Sequence, residues 1–128
     1  MSKGNKRTIA IDFDGVIHAY SKGWHDGTPY DVPMEGAAEA LEKLLAEYQV
    51  YIFSAREPED IQNWMATHLP QFVTQVIPVD SDIKFWNTDN VIGITRLKLP
   101  AIVYIDDRAQ KFVSWESVMF YKKSQSWK

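Results

Sequence analysis

Apolar positions along the chain follow two spacings, which predict strands and helices in alternation. Apolar runs of strand length occupy 8–12, 50–54, 75–79, 91–95 and 101–105, the fourth of them less regular than the others. Between these runs, apolar residues recur every three or four positions after Pro33 and after Pro58, as on one face of a helix. This alternation predicts right-handed crossovers and an α/β, Rossmann-like domain whose parallel sheet has helices on both faces.

The helical patterns are of different strength. The first comprises Met34, Ala37, Ala38, Leu41, Leu44, Leu45 and Tyr48, and the second comprises Ile61, Trp64, Met65, His68 and Leu69. The segment 80–99 is harder to assign, and we expect a short helix at 83–86 before the strand at 91–95. A last helix is expected to begin near Ser114.

The segment 15–33 shows neither spacing and is interrupted by Gly23, Gly27 and Pro29, which predicts a long loop or a small hairpin. A loop of this length is usually functional. Its aromatic and imidazole side chains belong to His18, Tyr20, Trp24, His25 and Tyr30. The aromatic rings either stack on a base or a sugar, or form a small satellite core that anchors the loop. The histidines either serve acid–base or metal chemistry or lie on the surface.

Two aspartates, Asp12 and Asp14, end the first predicted strand, and Gly15 follows them. Open α/β sheets bind ligands at this carboxyl edge. Neighbouring carboxylates repel each other unless a counter-charge lies between them, and Mg²⁺ supplies one while accepting oxygen ligands. An ionised aspartate beside a metal can attack phosphorus. The alternative for so short a pattern is a solvated turn.

Polar residues also follow two later strands. Ser54 ends the second strand, with Arg56 just beyond it, while Asp106 and Asp107 end the last one and Lys98 precedes it. Carboxylates, a hydroxyl and two cations at one sheet edge would suit a metal-bound phosphoryl group, because the hydroxyl and the cations can hold its non-bridging oxygens.

Composition narrows the function classes. A chain of 128 residues suits one domain spanning 1–128. The net charge of −3 and the pI of about 5.5 argue against a general nucleic-acid binder, which needs a basic face. The absence of cysteine is compatible with a reducing compartment, and we expect the cytoplasm. We expect no signal peptide and no membrane span, because few apolar residues follow the basic stretch 3–7 and no window is long enough to cross a bilayer.

Four motifs, in this order, resemble those of the haloacid dehalogenase (HAD) superfamily of phosphohydrolases. They are Asp12-Phe13-Asp14-Gly15-Val16, Ile52-Phe53-Ser54, Lys98-Leu99-Pro100-Ala101 and Tyr104-Ile105-Asp106-Asp107-Arg108. The resemblance covers nearly the whole chain and implies a HAD-like domain. The intervals after Gly15 and after Ser54 are too short for a separate domain, which implies a capless member with a flap at about 15–33 over an open site.

The resemblance implies a Mg²⁺-dependent phosphomonoester hydrolase that works through an aspartyl-phosphate. Asp12 would be the nucleophile, and Asp14 the general acid and base, with its backbone carbonyl on the metal. Ser54 would hold phosphoryl oxygens and Lys98 would offset their charge. The metal ligands implied are Asp12, Asp14 and Asp107, with Asp106 as a second ligand or as support for one. The phosphate-binding residues implied are Gly15, Ala55 and Arg56.

The segments 54–57 and 105–108 also resemble the phosphatase domain of phage polynucleotide kinases, in which the arginine after the second motif binds phosphate. Arg56 therefore either binds phosphate or forms a surface ion pair with Glu59 or Asp60 at the start of a helix. For the motif lysine, Lys98 is favoured by its place before the last strand, and Lys84 is the alternative.

The expected partner is a phosphorylated small molecule or a nucleic-acid end, and a nucleotide or terminal phosphate is favoured over a sugar phosphate. The alternative function is a non-catalytic phosphate- or metal-binding module, like a response-regulator receiver. The motif order disfavours a receiver, because the acidic pair 106–107 comes last in this chain and no lone aspartate ends the middle strand.

Overall fold

In the part of the chain that the structure describes, five strands and two helices account for most of the apolar pattern. The computed structural model describes residues 6–106 and Trp115. The strands are β1 (Arg7–Ile11), β2 (Tyr48–Phe53), β3 (Val73–Ile77), β4 (Val91–Thr95) and β5 (Val103–Ile105), and the helices are α1 (Ala37–Glu47) and α2 (Pro58–His68). The strands form one sheet in the order β3-β4-β2-β1-β5, and every neighbouring pair is parallel. The result is a single α/β domain, Rossmann-like, with no separate cap, as predicted.

One face of the sheet is covered by both helices. Alternate residues of the central strands, such as Ile9 and Ile52, are fully buried there against Leu41 and Leu44 of α1 and Ile61 of α2. Each such side chain contributes about 1.5–3 kcal/mol when it leaves water. Both helices lie on the same face because the chain moves in one direction through the sheet, from β1 to β2 and on to β3.

The opposite face is covered by irregular chain. The connections from β3 to β4 and from β4 to β5 run back across the sheet, and Trp86 and Leu99 from them pack against Tyr51 and Ala10. The expectation of covered faces is confirmed, but within the described residues helices cover one face only. Burial raises the pKa of the Tyr51 hydroxyl, which donates to the Leu99 carbonyl at 2.6 Å.

The short helix expected at 83–86 is not formed. Trp86 instead lies flat on β4, where a Cβ added to Gly93 would stand 3.0 Å from its indole. Its ring nitrogen donates to the Val91 carbonyl at 3.2 Å, and Thr8 donates to its backbone carbonyl at 2.9 Å. These contacts hold the segment in a conformation without regular secondary structure, and local propensity does not decide it.

Helix α1 begins later than predicted. Pro33 does not open it, because the amide of Met34 donates to the Ile17 carbonyl at 2.7 Å and holds this stretch against the loop. The helix starts after Gly36, whose φ of 85° requires the left-handed conformation that glycine tolerates. Helix α2 begins at Pro58 as predicted.

Smaller shifts occur at the strand ends. The second strand begins at 48 and not at 50, because the chain passes from α1 into it without a loop, and the third occupies 73–77 and not 75–79. The last helix, expected from Ser114, lies outside the described residues apart from Trp115, which is helical and donates from its indole to the Val16 carbonyl at 2.9 Å. No helix in the described part of the chain is long and apolar enough to cross a membrane.

Candidate functional site

The carboxyl ends of three adjacent strands meet at one cavity. Ile11 pairs with Ile52 on one side and with Ile105 on the other, so the residues that follow them become neighbours. A cavity of about 1010 Å³ opens at this edge. It is lined by Ala10, Ile11, Asp12, Asp14, Tyr20, Trp24, Phe53, Ser54, Ala55, Arg96, Lys98, Tyr104, Ile105 and Asp106.

The structure brings most of the predicted site residues to this cavity. Those that line it are Asp12, Asp14, Ser54, Ala55, Lys98 and Asp106. Lys98 is thereby favoured over Lys84, which is exposed on the connection before β4 and does not line the cavity. Gly15 is not a lining residue either, and its amide donates to the His18 carbonyl at 2.7 Å. Asp107 lies outside the described residues.

The two aspartates at the ends of β1 and β5 are held close to the sheet. The amide of Asp12 donates to the Ile105 carbonyl at 2.9 Å, which continues the pairing of the two strands by one residue. A carboxylate oxygen of Asp12 accepts the amide proton of Phe13 at 2.7 Å. Asp106 follows directly on the neighbouring strand, so both carboxylates stand at the same edge.

Arg56 is buried, and of the two alternatives for it the surface ion pair with Glu59 or Asp60 is wrong. Its side chain is 0% exposed, and its Nε donates to both oxygens of Asp14 at 2.8 and 2.9 Å. Its amide donates to the Ser54 hydroxyl at 3.1 Å, which fixes the turn that follows β2. Within the described part of the chain, its two terminal nitrogens are buried and have no hydrogen-bond partner.

Trp24 lies over the buried guanidinium. The Arg56 Cζ is 4.3 Å from the centroid of the Trp24 ring and 5.6 Å from that of Tyr20, and both rings line the cavity. Trp24 is 47% exposed, so one face of its indole covers the cation while much of the ring meets solvent. A cation beneath an aromatic face is stabilised by the ring quadrupole.

His18 does not lie on the surface, and among the described residues it belongs to no group of three potential metal ligands. Its side chain is 0% exposed, and its Nδ1 is 2.9 Å from Asp14 Oδ1. The amides of Tyr30 and Asp31 both point at its Nε2, at 3.2 and 2.9 Å. Since an amide can only donate, Nε2 is the unprotonated acceptor and Nδ1 carries the hydrogen that Asp14 accepts. Burial lowers the pKa of His18, which keeps the ring neutral.

The rest of the loop is tied together by its own polar groups. The carboxylate of Asp31 accepts the hydroxyl and amide protons of Ser21 and the amide proton of Val32, and these bonds lower its pKa to about 2. Tyr30 donates its hydroxyl proton to the Gly23 carbonyl at 2.8 Å. Tyr30 therefore anchors the loop, which agrees with the second interpretation of its aromatic rings, that they hold the loop in place. His25 is exposed.

Arg96 is a site residue that the sequence analysis missed. It lines the cavity directly after β4, donates from Nε to the Arg56 carbonyl at 3.4 Å and pairs with Glu57 at 2.8 Å. A polar residue directly after a predicted strand was the signal that identified Ser54 and Asp106, and it applies equally to Arg96. Tyr104 was also missed, and its ring centroid lies 4.9 Å from Lys98 Nζ.

The carboxylates present fit a hydrated Mg²⁺. No group of three potential metal ligands among histidine, aspartate, glutamate and cysteine side chains occurs in residues 6–106 and 115. Mg²⁺ keeps several waters and commonly uses one or two protein carboxylates together with substrate phosphate. Asp12 and Asp106 supply two carboxylates at one edge, whereas the carboxylate of Asp14 is engaged by Arg56 and His18.

No family model and no curated protein matches the chain. Among solved structures, the chain is similar to a conserved protein from Bacteroides thetaiotaomicron, with 22% sequence identity over 95% of this chain and 93% of that chain. The two structures agree with a TM-score of 0.59. At this identity the likeness shows the fold alone, and it supports a single α/β domain of Rossmann-like type without a separate cap.

Proposed function

We propose that this protein is a Mg²⁺-dependent phosphomonoester hydrolase of the HAD type that works through an aspartyl-phosphate. The observation that carries the proposal is the convergence of Asp12, Asp14, Ser54, Lys98 and Asp106 on one cavity from the segments that follow four different strands. These are the residues for which the family resemblance implies catalytic and metal-binding roles. Mg²⁺, held by Asp12 and Asp106, would offset the charge of the phosphoryl oxygens.

The reaction then runs in two displacements. The carboxylate of Asp12 forms a bond to phosphorus while the bond from phosphorus to the ester oxygen breaks. That oxygen takes a proton from Asp14 and leaves as an alcohol. Water next attacks the same phosphorus, gives its proton back to Asp14, and releases inorganic phosphate and the free carboxylate of Asp12.

The contacts of Asp14 indicate which of its oxygens carries the proton. Oδ1 accepts from both His18 and Arg56, at 2.9 and 2.8 Å, whereas the described contact of Oδ2 is with Arg56 alone, at 2.9 Å. Oδ2 therefore keeps more capacity to bond a proton, and we assign it the transfer to the leaving group and from water.

Arg56 supports the phosphate assignment independently of the motifs. A buried donor without a partner costs about 1–3 kcal/mol, and a charged one costs more. Within residues 6–106 and Trp115, its two terminal nitrogens are such donors, next to the catalytic candidate Asp14. Arg56 itself does not line the cavity, so an oxyanion would have to displace the covering Trp24 ring to reach these nitrogens. It would then supply their missing acceptors, since a guanidinium matches phosphate with two parallel hydrogen bonds.

The cavity favours a substrate larger than phosphate. Its aromatic lining from Tyr20, Trp24 and Tyr104 suits a flat ring, and Arg96 and Lys98 suit further negative charge. These features support a nucleotide or a nucleic-acid terminal phosphate over a sugar phosphate. The net charge of −3 does not favour long contact with nucleic acid.

Phosphate release from a panel of phosphomonoesters tests the proposal. Nucleotides, 3′- and 5′-phosphorylated oligonucleotides and sugar phosphates are each incubated with and without Mg²⁺. We expect Mg²⁺-dependent release that Asp12→Asn abolishes and that the matched control Asp82→Asn, at an exposed position that does not line the cavity, leaves unchanged. Release that persists in Asp12→Asn would contradict the aspartyl-phosphate.

A second candidate function is phosphate binding without turnover. It is favoured by one observation, namely that both oxygens of Asp14 already accept hydrogen bonds, from Arg56 and, at Oδ1, also from His18, so that its carboxylate is engaged by the protein itself. In the same assay this function predicts that inorganic phosphate binds to the wild-type protein but that no ester on the panel is hydrolysed.

A further inference from the structure

We propose that His18 is a positioning residue that fixes the carboxylate of Asp14 and couples it to the loop 20–31 over the cavity. Its Nδ1–H holds the carboxylate, and its Nε2 holds the backbone of Tyr30 and Asp31. One imidazole ring thus sets the orientation of the acid and the path of the loop. This inference deepens the proposed function, because it rests on Asp14 being the general acid and base of that site.

The ring has no freedom to turn within these contacts. It stacks on Phe13 with centroids 5.1 Å apart and planes 7° apart, and Trp64 meets it edge-on at 5.6 Å and 85°. A half-turn of the ring would put Cδ2 in the place of Nδ1 and Cε1 in the place of Nε2, so the bonds to Asp14 and to the two loop amides would all be lost. Packing and hydrogen bonding therefore select the same orientation.

The loop side of this coupling reaches the cavity. The indole of Trp64 donates to the Asp31 carbonyl at 2.7 Å, so the end of the loop near Asp31 is fixed between α2 and His18. The same loop carries Tyr20 and Trp24, which line the cavity and lie over Arg56. A change in the loop is therefore transmitted through one ring to Asp14.

The acid side of the coupling selects one oxygen. The Arg56 Nε lies 2.8 Å from Oδ1 and 2.9 Å from Oδ2 of Asp14, and so hardly discriminates between them. The contact at 2.9 Å from His18 falls on Oδ1 alone. Without His18 the carboxylate would retain its ionic partner but lose the bond that directs Oδ2 to the reacting atoms. Apolar packing alone would not require a side chain with this polarity.

Nitrogen-15 NMR of the imidazole in the whole chain tests the geometry without relying on turnover. We expect Nδ1 of His18 to be protonated and Nε2 to be unprotonated, and we expect the Nδ1 signal to shift in Asp14→Asn. Protonation at Nε2, or a signal that does not respond to Asp14→Asn, would overturn the proposal.

Two amide variants separate the halves of the coupling. In His18→Asn the side-chain amide can occupy the place of Nδ1 and still donate to Asp14, whereas in His18→Gln it reaches the place of Nε2 and accepts from the loop. We expect His18→Gln to lower kcat by about 10- to 100-fold with little change in KM, and His18→Asn to recover most of that loss. Equal kcat values in the wild type and His18→Gln would overturn the proposal.

Failure of the proposed function gives a different result. A wild-type protein that releases no phosphate, but shows the Nδ1–H tautomer and its response to Asp14→Asn, would overturn the phosphatase and support the positioning of Asp14. An active wild-type protein with the opposite tautomer would support the phosphatase and overturn the positioning.

Discussion

Two long segments of this protein have neither helix nor strand, and they are held in opposite ways. The loop 15–33 is organised around polar groups, namely the buried imidazole of His18 and the carboxylate of Asp31. The connection 78–90 is organised around one apolar side chain, Trp86, which lies flat on Gly93. Only the first segment borders the cavity. A polar anchor fixes orientation as well as position, which the proposed site for phosphoryl chemistry would require and a covering segment would not.

The apolar anchor is expected to have the largest effect on stability. Trp86→Ala removes a side chain that is 2% exposed, and we expect the free energy of unfolding to fall by about 3–5 kcal/mol. Urea unfolding measures the change. The neighbouring Phe85→Ala, at a position 56% exposed, is the control and should lie within about 0.5 kcal/mol of the wild type. Equal losses for the two variants would contradict the anchoring role of Trp86.

The second-largest loss of stability is expected when the buried cation of Arg56 is removed. Arg56→Met keeps much of the volume but leaves Asp14 without its ionic partner, and we expect a loss of about 3 kcal/mol together with loss of phosphate binding. Arg96→Met removes an exposed ion pair with Glu57 and should cost less than about 1 kcal/mol. Unfolding curves that coincide for both variants would show that burial does not make the contribution of Arg56 to stability larger than that of Arg96.

The polar anchor predicts a pH dependence of stability. Burial lowers the pKa of His18 below its ordinary value of 6.5, against the opposing effects of Asp14 and Asp31 and with support from Arg56. The unfolded chain therefore binds a proton first, so stability is complete above about pH 6.5 and falls as the pH decreases below it. In urea unfolding at pH 7.5 and 5.5, His18→Asn should lose less stability on acidification than the wild type does. A larger loss of stability on acidification in His18→Asn would contradict the assignment that folding lowers the pKa of His18.

The smallest effect on stability is expected at the covering indole. Trp24→Ala removes a half-exposed ring and one cation–π contact, and should cost about 1 kcal/mol or less. If the indole also stacks on a base, KM for a nucleoside monophosphate should rise about fivefold or more relative to KM for a sugar phosphate. An unchanged KM ratio would indicate that Trp24 covers Arg56 without contacting the substrate.

Much of the scaffold follows from the sequence because it depends on local pattern. The apolar runs locate the strands to within two residues or so, and a polar residue after such a run identified Asp12, Ser54 and Asp106 at the cavity. The parallel sheet follows from the alternation of strands and helices. The irregular cover of the second face does not follow from the sequence, because the spacing of apolar residues does not indicate which partners Trp86 and Leu99 pack against.

The internal connections of the site depend on residues far apart in sequence. Asp14 and Arg56 are 42 positions apart, and nothing near Arg56 in the sequence distinguishes its burial from a surface ion pair with Glu59. His18 resembles any loop histidine until the fold returns Tyr30 and Asp31 to it. Arg96 could have been found by treating the end of β4 like the other strand ends.

Among the described residues, the two buried terminal nitrogens of Arg56 have no hydrogen-bond partner, and this has a kinetic consequence for the proposed reaction. A guanidinium with unused donors can bind a tetrahedral oxyanion, and in the proposed reaction the released phosphate has the same kind of oxygens as the group it came from. If the protein is the proposed phosphatase, the arrangement that binds substrate should also bind inorganic phosphate and so give product inhibition. The free phosphate concentration around the protein, as much as the supply of ester, would then set the rate at which it turns over.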